Sequence, residues 1–330
     1  MTIMTMRTRG SICLGLIVAL TLALGTAARA QQGPSAGPIR LVVGAAPGGS
    51  ISVYARIVAD HMAATLGQAL IVENKPGANG NIAAQFVVDA PADGSAIWVG
   101  TQSMIEINPS AYKSLRWRPA DFIPVIKGIE SPLMLSIHPS VPAKTLAELI
   151  AWVKTNPKKL SYASYSAGTP SHFLGFQMNE RFGLDMAHVP YRGGAPQVTD
   201  LLAGHALIGF TQVQGALEHV RAGRLNAILT TGAQRARAVP DLPTFAELGY
   251  PELTAAIWFG LLMRTGTSPD VVSRIETAAK AAHADAGVRA RLEEQGFEVS
   301  GLTWPSFKAG IEAQFERWAR IVKATGFSAD

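Results

Sequence analysis

From Pro38 onward the sequence alternates short β-branched runs with longer amphipathic stretches, and this alternation restricts the possible fold more than any other feature. Ile39 to Val43 is followed by Ile51 to Leu66, then by Leu70 to Val72 and Asn79 to Val88. Repetition of that pair of patterns is the rhythm of βαβ units on a parallel sheet. In the first helical stretch Ile51, Tyr54, Ala55, Val58 and Met62 share one face, with Arg56 and Asp60 turned away, so that face is expected against the sheet. The 330 residues are 48% hydrophobic and 16% charged and are broken by 32 Gly and 20 Pro, which is a globular α/β composition and not a disordered one. That length suffices for two lobes of roughly 100–200 residues each.

The first thirty residues read differently. Arg7 and Arg9 precede an apolar run from Ile12 to Leu24 that ends in Ala28-Arg29-Ala30, the layout of a signal peptide removed near Ala30. The run is shorter than the roughly 20 apolar residues needed to span a bilayer, and no second run of that kind follows. The one cysteine, Cys13, lies inside this segment, so the mature chain is expected to be cysteine-free, which suits an oxidising compartment. Removing Arg7, Arg9 and Arg29 leaves 26 basic against 24 acidic residues. No cluster of Lys and Arg with interleaved aromatics remains, which argues against a nucleic-acid partner.

A break at His138-Pro139-Ser140-Val141-Pro142 is followed by a helical stretch from Leu146 to Lys154. Strand candidates at Leu160 to Ser164, Ala187 to Val189, Ala206 to Phe210 and Leu225 to Thr230 then form a second α/β set, ending in Val239-Pro240-Asp241-Leu242-Pro243. The strand Ala256 to Met263 carries the chain back. The simplest arrangement is a discontinuous first lobe, residues 31–138 plus 257–330, with residues 139–256 inserted as a second lobe and the two crossings serving as a hinge. Two helices close the chain, one opened by Ser268-Pro269 and one by Thr303. In the last, Phe307, Ile311, Phe315, Trp318 and Val322 have the spacing of a core face. Trp258 and Phe259, at the return crossing, either line the cleft or fill the hinge core.

Three loops share one design, each leaving a strand candidate and entering a helix candidate: Gly44-Ala45-Ala46-Pro47-Gly48-Gly49-Ser50, Tyr165-Ser166-Ala167-Gly168-Thr169-Pro170 and Tyr191-Arg192-Gly193-Gly194-Ala195-Pro196. The first four N–H groups of a helix lack internal partners and the peptide dipoles place positive charge there, so each loop end can cradle an anion. Ligands of parallel sheets bind at these carboxyl ends. Gly44 and Gly49 have the spacing of a nucleotide phosphate loop, but Ser50 and Ile51 stand where Lys and Ser/Thr are needed, and no dinucleotide fingerprint follows a strand. Ser166 and His172 are close in sequence, yet Ser166 is in no Gly-x-Ser-x-Gly elbow. The other histidines have no metal-ligand spacing, and no metal centre or cofactor is expected. His172 is read either as a helix-start residue bonded to its loop or as a ligand donor. Arg192 either grips a carboxylate or points into solvent.

A resemblance now enters. Pro47-Gly48-Gly49 with Ala55-Arg56, Val72 to Gly80 (VENKPGANG), Ser166 to His172 (SAGTPSH), His188 to Gly194 (HVPYRGG) and Pro240 to Thr244 (PDLPT) with Glu247 and Gly249 resemble the substrate-binding proteins of tripartite tricarboxylate transporters, the Bug or TctC-like receptors. The motifs cover essentially the whole mature chain in the family's order. The resemblance implies a periplasmic, two-lobed type II binding-protein fold that closes on a small carboxylate, delivers it to membrane permease subunits and catalyses nothing. It also implies that the carboxylate is held by backbone amides of the loops matching Gly48 to Ser50, Ser166 to Thr169 and Tyr191 to Gly193. Ser52 and Thr211 stand where many members carry Asp, which removes partners for a ligand ammonium and favours a plain mono- or dicarboxylate, aliphatic or aromatic. The ligand-binding candidates are therefore Pro47, Gly48, Gly49, Ser50, Ser52, Thr101 and Gln102 from the first lobe. From the second they are Ser166, Gly168, Thr169, His172, Tyr191, Arg192, Gly193 and Thr211. A monomer is expected. The alternatives are a secreted hydrolase using Ser166 and His172, and a sensor subunit that presents ligand to a membrane kinase.

Overall fold

The computed structural model describes residues 37–156 and 160–329, so the expected signal segment and Cys13 lie outside the described residues. β1 (Ile39–Val43) enters α1 (Ser50–Leu66) through the first glycine-rich loop, and β2 (Leu70–Asn74) returns parallel to β1. α2 (Asn81–Asp89) and β3 (Ala96–Thr101) repeat the unit on the other side of β1. The α1 face foreseen from the spacing is buried, and Arg56 and Asp60 are exposed. A buried π-helical segment, Ser103–Ile107, then leads toward β4 (Phe122–Ile137). The chain continues through α3 (Leu146–Thr155), β5 (Ser161–Ser164), α4 (Pro170–Phe182), β6 (Ala187–Pro190) and α5 (Gly194–Leu202). β7 (Ile208–Gln212), α6 (Val213–Arg221) and β8 (Asn226–Thr230) follow. β9 (Ala256–Arg264), α7 (Pro269–Ala284), α8 (Ala286–Glu294), β10 (Glu298–Thr303) and α9 (Ser306–Thr325) complete it.

The ten strands form one mixed sheet in the order β2-β1-β3-β9-β4-β7-β5-β6, with β10 and β8 also paired to β4. Pairing is parallel at both outer ends, where the sequence rhythm places βαβ units, and antiparallel through the centre. β3, β4 and β10 are strands that the sequence pattern did not give, and β4 is the longest of them. It is buried along most of its 16 residues, so apolar and polar positions do not alternate, and Pro124 and Pro132 argue against a central strand. Register shifts between Pro124 and Ile126 and between Lys127 and Ile129 accommodate the irregularity.

β4 exchanges partners ahead of the His138 break: Pro132 is the last residue opposite β9 and Leu133 the first opposite β7. One buried threonine ties the two crossings together there. Thr231 Oγ1 accepts from Leu133 N–H at 2.9 Å and donates to Ala255 O at 2.5 Å. Its backbone repeats the link, Thr231 N–H to Leu133 O at 2.9 Å and Ala255 N–H to Thr231 O at 2.8 Å.

The last helix begins at Ser306 and not at Thr303, because Thr303 still pairs with Ile126 as the end of β10. Its core face is as spaced, with Phe307, Ile311, Trp318 and Val322 buried and Phe315 partly so. Burial of each such side chain stabilises the fold by about 1.5–3 kcal/mol. Phe259 is core, packed on Tyr54 and Phe297, whereas Trp258 is buried with its indole N–H turned to Glu106 Oε1 at 2.8 Å.

Candidate ligand site

α1, α4 and α5 begin on Gly49, Thr169 and Gly193, and none of these residues gives its helix a side-chain cap. Thr169 Oγ1 donates to Ser166 O at 2.7 Å instead of accepting from the helix. The helix starts therefore keep orphan N–H groups at the positive ends of their dipoles. Among the described residues the amides of Gly48, Ala167, Thr169 and Arg192 make no hydrogen bond within the chain. Other amides of the same loops are already committed. Gly168 N–H donates to His172 Nδ1 at 3.2 Å, Tyr191 N–H to Ser164 O at 2.9 Å and Gly193 N–H to Tyr165 O at 2.8 Å. The third loop thus extends the ladder between β5 and β6 before turning into α5, and the free donors are fewer than the loop sequences imply.

The loops converge. Ser50 Oγ, in the first turn of α1, lies 2.8 Å from both Gln212 Oε1 and Gln214 Oε1, to either of which it donates. A Cβ on Gly194, at the start of α5, would lie 3.3 Å from the same Gln212 Oε1. Gly168 has φ +71°, and a Cβ there would stand 3.0 Å from Phe327 Cε1 and 3.8 Å from Asn79 Nδ2, so this turn is built for glycine on two counts. Asn79 is itself held by Asn108, donating Nδ2–H to Asn108 Oδ1 at 2.8 Å. Gln212 and Asn79 were not among the candidates. Gln212 could have been found as the last residue of a parallel-paired strand, and Asn79 as part of the VENKPGANG motif.

The remaining candidates fall into two groups. Pro47, Gly48 and Gly49 are exposed at the mouth of the first loop, as is Arg192, which makes no ion pair among the described residues. Ser52 and Thr211 are fully buried: Ser52 Oγ accepts from Asn74 Nδ2 at 3.3 Å, and Thr211 Oγ1 shares a 2.7 Å bond with Ser136 Oγ. Thr101 Oγ1 accepts from Met104 N–H at 3.4 Å, and Gln102 is buried. Tyr191 donates its hydroxyl to Asp200 Oδ2 at 2.9 Å, and burial together with that carboxylate pushes its phenol up to about 12. His172 stacks on His188 with centroids 3.8 Å apart, the rings 11° from parallel. Burial lowers His172 to about 3, helped by the neighbouring imidazole, and burial lowers His188 to about 4, so both rings are neutral. Because His172 Nδ1 accepts from Gly168, its proton is on Nε2. Ser166 Oγ donates to Ala167 O at 3.3 Å and shares no hydrogen bond with His172.

Residues 54–327 match the family described as the tripartite tricarboxylate transporter family receptor, TctC. The chain belongs to this family. It is 31% identical to Protein BugT of Bordetella pertussis over 300 residues, covering 88% of this chain and 89% of that one. Among solved structures it is similar to Rpa4515 of R. palustris with adipate, with a TM-score of 0.83, 30% identity and coverage of 89% of this chain and 98% of the other. MatC from Rhodopseudomonas palustris with bound malate gives a TM-score of 0.78 at 28% identity, covering 87% and 99%. The TctC receptors are solute-binding proteins and not enzymes, which removes the hydrolase alternative.

Proposed function

We propose that this TctC receptor captures a small mono- or dicarboxylate, aliphatic or aromatic, between the two parts of its sheet, and delivers it to the membrane permease subunits of a tripartite tricarboxylate transporter. The mature protein works in the periplasm as a monomer, exported by its first thirty residues. Residues 31–138 with 257–330 and residues 139–256 act as lobes, and the paired crossings at Leu133, Thr231 and Ala255 are their hinge. The observation that carries this reading is that three helices start without side-chain caps, α1 and α5 beside Gln212 and α4 beside Asn79 and Phe327, with the amides of Gly48, Ala167, Thr169 and Arg192 open.

Hydrogen bonds to charged groups contribute roughly 1.5–3 kcal/mol each, and micromolar affinity needs about 8 kcal/mol net. Four amides at that strength sum to about 6–12 kcal/mol before the cost of association, which reaches that range without an obligatory side-chain cation. Neutral Ser52 and Thr211, each already hydrogen-bonded, offer nothing to a ligand ammonium, which supports plain acids over amino acids. The adipate and malate of the two similar structures are acids of this kind.

A thermal-shift screen of acetate, malate, adipate, citrate and benzoate against the mature protein tests the reading, since a ligand confined to the native state raises the melting temperature. At least one acid is expected to stabilise it. Stabilisation by sugars or cations alone would overturn the proposal.

A further inference from the structure

The last helix and the residues that follow it, Gly326 to Ala329, reach from the first proposed lobe onto the second. Trp318 of α9 lies against Phe173 of α4, with ring centroids 6.1 Å apart. Gly326, at φ +64°, ends the helix and turns the chain. Thr325 Oγ1 donates to Val322 O at 2.7 Å and accepts from Phe327 N–H at 3.2 Å, which fixes the direction in which the tail leaves. Ala329 N–H then donates to Ala111 O at 2.9 Å. The tail is thus tied on both sides of Phe327 to residues of the first lobe.

Between those ties the Phe327 ring reaches the second ligand loop. It stands edge-on to His172 at 5.1 Å and 77°, and to Phe173 at 5.9 Å and 78°, both in the first turn of α4. A Cβ on Gly168 would meet two of its carbons at 3.0 and 3.3 Å, so the ring packs on the bare backbone of that turn. Gly168 lies between the open amides of Ala167 and Thr169, and its own N–H is held by His172 Nδ1 at 3.2 Å. Phe327 therefore packs on both partners of the hydrogen bond that shapes the turn. It is only partly buried, whereas Phe173 and Trp318, at 0% and 1% exposed, are core.

We propose that Phe327 is a positioning residue for ligand capture: carried by the C-terminal tail onto the second loop, it holds the Gly168 turn so that the amides of Ala167 and Thr169 are presented together to the acid. The proposal rests on the carboxylate-receptor reading and adds to it a residue far from the glycine-rich loops in sequence. Phe327 need not touch the ligand. It acts through Gly168 and His172.

Acetate, malate, adipate, citrate and benzoate are the probes, titrated by calorimetry into the mature protein and three variants. Phe327→Ala should weaken every acid that the parent binds at least tenfold, about 1.4 kcal/mol. A chain ending at Gly326 should do the same, since it loses both the ring and the tie to Ala111. Phe315→Ala removes another partly buried ring from the same helix, away from the loop, and should leave affinity unchanged. A readout without ligand separates positioning from a general loss of stability. Exchange of the Gly168 amide hydrogen, followed by NMR, should quicken at least tenfold in Phe327→Ala and keep the parent rate in Phe315→Ala. The proposal is overturned if Phe327→Ala or the shortened chain binds the acids as the parent does, if Phe315→Ala weakens them equally, or if Gly168 exchange is unchanged in Phe327→Ala. A parent that binds none of the five acids overturns the receptor reading, and this proposal with it. A parent that binds one, with Phe327→Ala binding it equally, overturns this proposal alone.

Discussion

Helices α3, α7 and α8 begin on Thr145, Ser268 and Asp285, whose side chains accept from the N–H groups of Glu148, Val271 and Val288. Helices α1, α4 and α5 begin on Gly49, Thr169 and Gly193 and receive no such cap. The same physical property, a helix start with orphan donors and a positive dipole end, is thus handled in two ways. On the first set it is satisfied internally and stabilises the fold. On the second it is left without a side-chain cap, beside Gln212 for α1 and α5 and beside Asn79 for α4, as the proposed carboxylate site requires.

The largest test of this contrast is Gly168→Val. It forces a β-branched residue into φ +71° with its Cβ 3.0 Å from Phe327, so it should abolish every carboxylate-induced thermal shift and lower stability by about 1–3 kcal/mol, measured by calorimetry and chemical unfolding. Gly49→Asp is subtler. At φ −69° the residue is unstrained, and its Cβ would meet only Ala46 O at 3.5 Å. The new carboxylate should cap α1, leave the melting temperature equal or slightly higher, and weaken carboxylate binding at least tenfold, about 1.4 kcal/mol. Ser268→Ala is the converse: a loss of about 1 kcal/mol in stability with ligand affinity unchanged. If Gly49→Asp bound ligand normally, or Ser268→Ala lost it, the division between the two sets would not hold.

A separate effect concerns pH. Uncharged His172 and His188 flank the start of α4, with folded values near 3 and 4 against an unfolded value of about 6.5. The unfolded chain therefore binds more protons between pH 6.5 and 4, and stability declines as pH falls through that window. His188→Gln should flatten the slope of melting temperature against pH, whereas Thr145→Ala, at a cap that does not titrate, should leave it unchanged.

The outer parts of the sheet were legible because βαβ units print their period locally. The residues from Ile39 to Val88, and the strands around Ala163, Val189 and Phe210, declare themselves within a few positions. β4 did not, because a strand enclosed on most of its length by neighbours distant in sequence has no solvent side to show alternation. Thr303 misled for a related reason, since a polar residue before a proline signals a helix start unless a distant strand, here at Ile126, has already claimed its backbone.

In the candidate site the residue types were legible and the hydrogen-bond assignments were not. Ser166, Gly168 and Gly193 announce tight turns at helix starts, but that Gly193 donates to Tyr165 while Arg192 stays free follows from loop packing. The sequence by itself determined the βαβ segments at the outer ends of the sheet, that glycine-rich loops precede three helices, and the TctC receptor family. Only the tertiary structure decided which amides remain open, that Gln212 and Asn79 lie beside the candidate loops, and that Glu106 is buried with Trp258 donating to it. The reason is that secondary structure follows from short-range periodicity, whereas the pairing of each polar group depends on which distant backbone or side chain reaches it first.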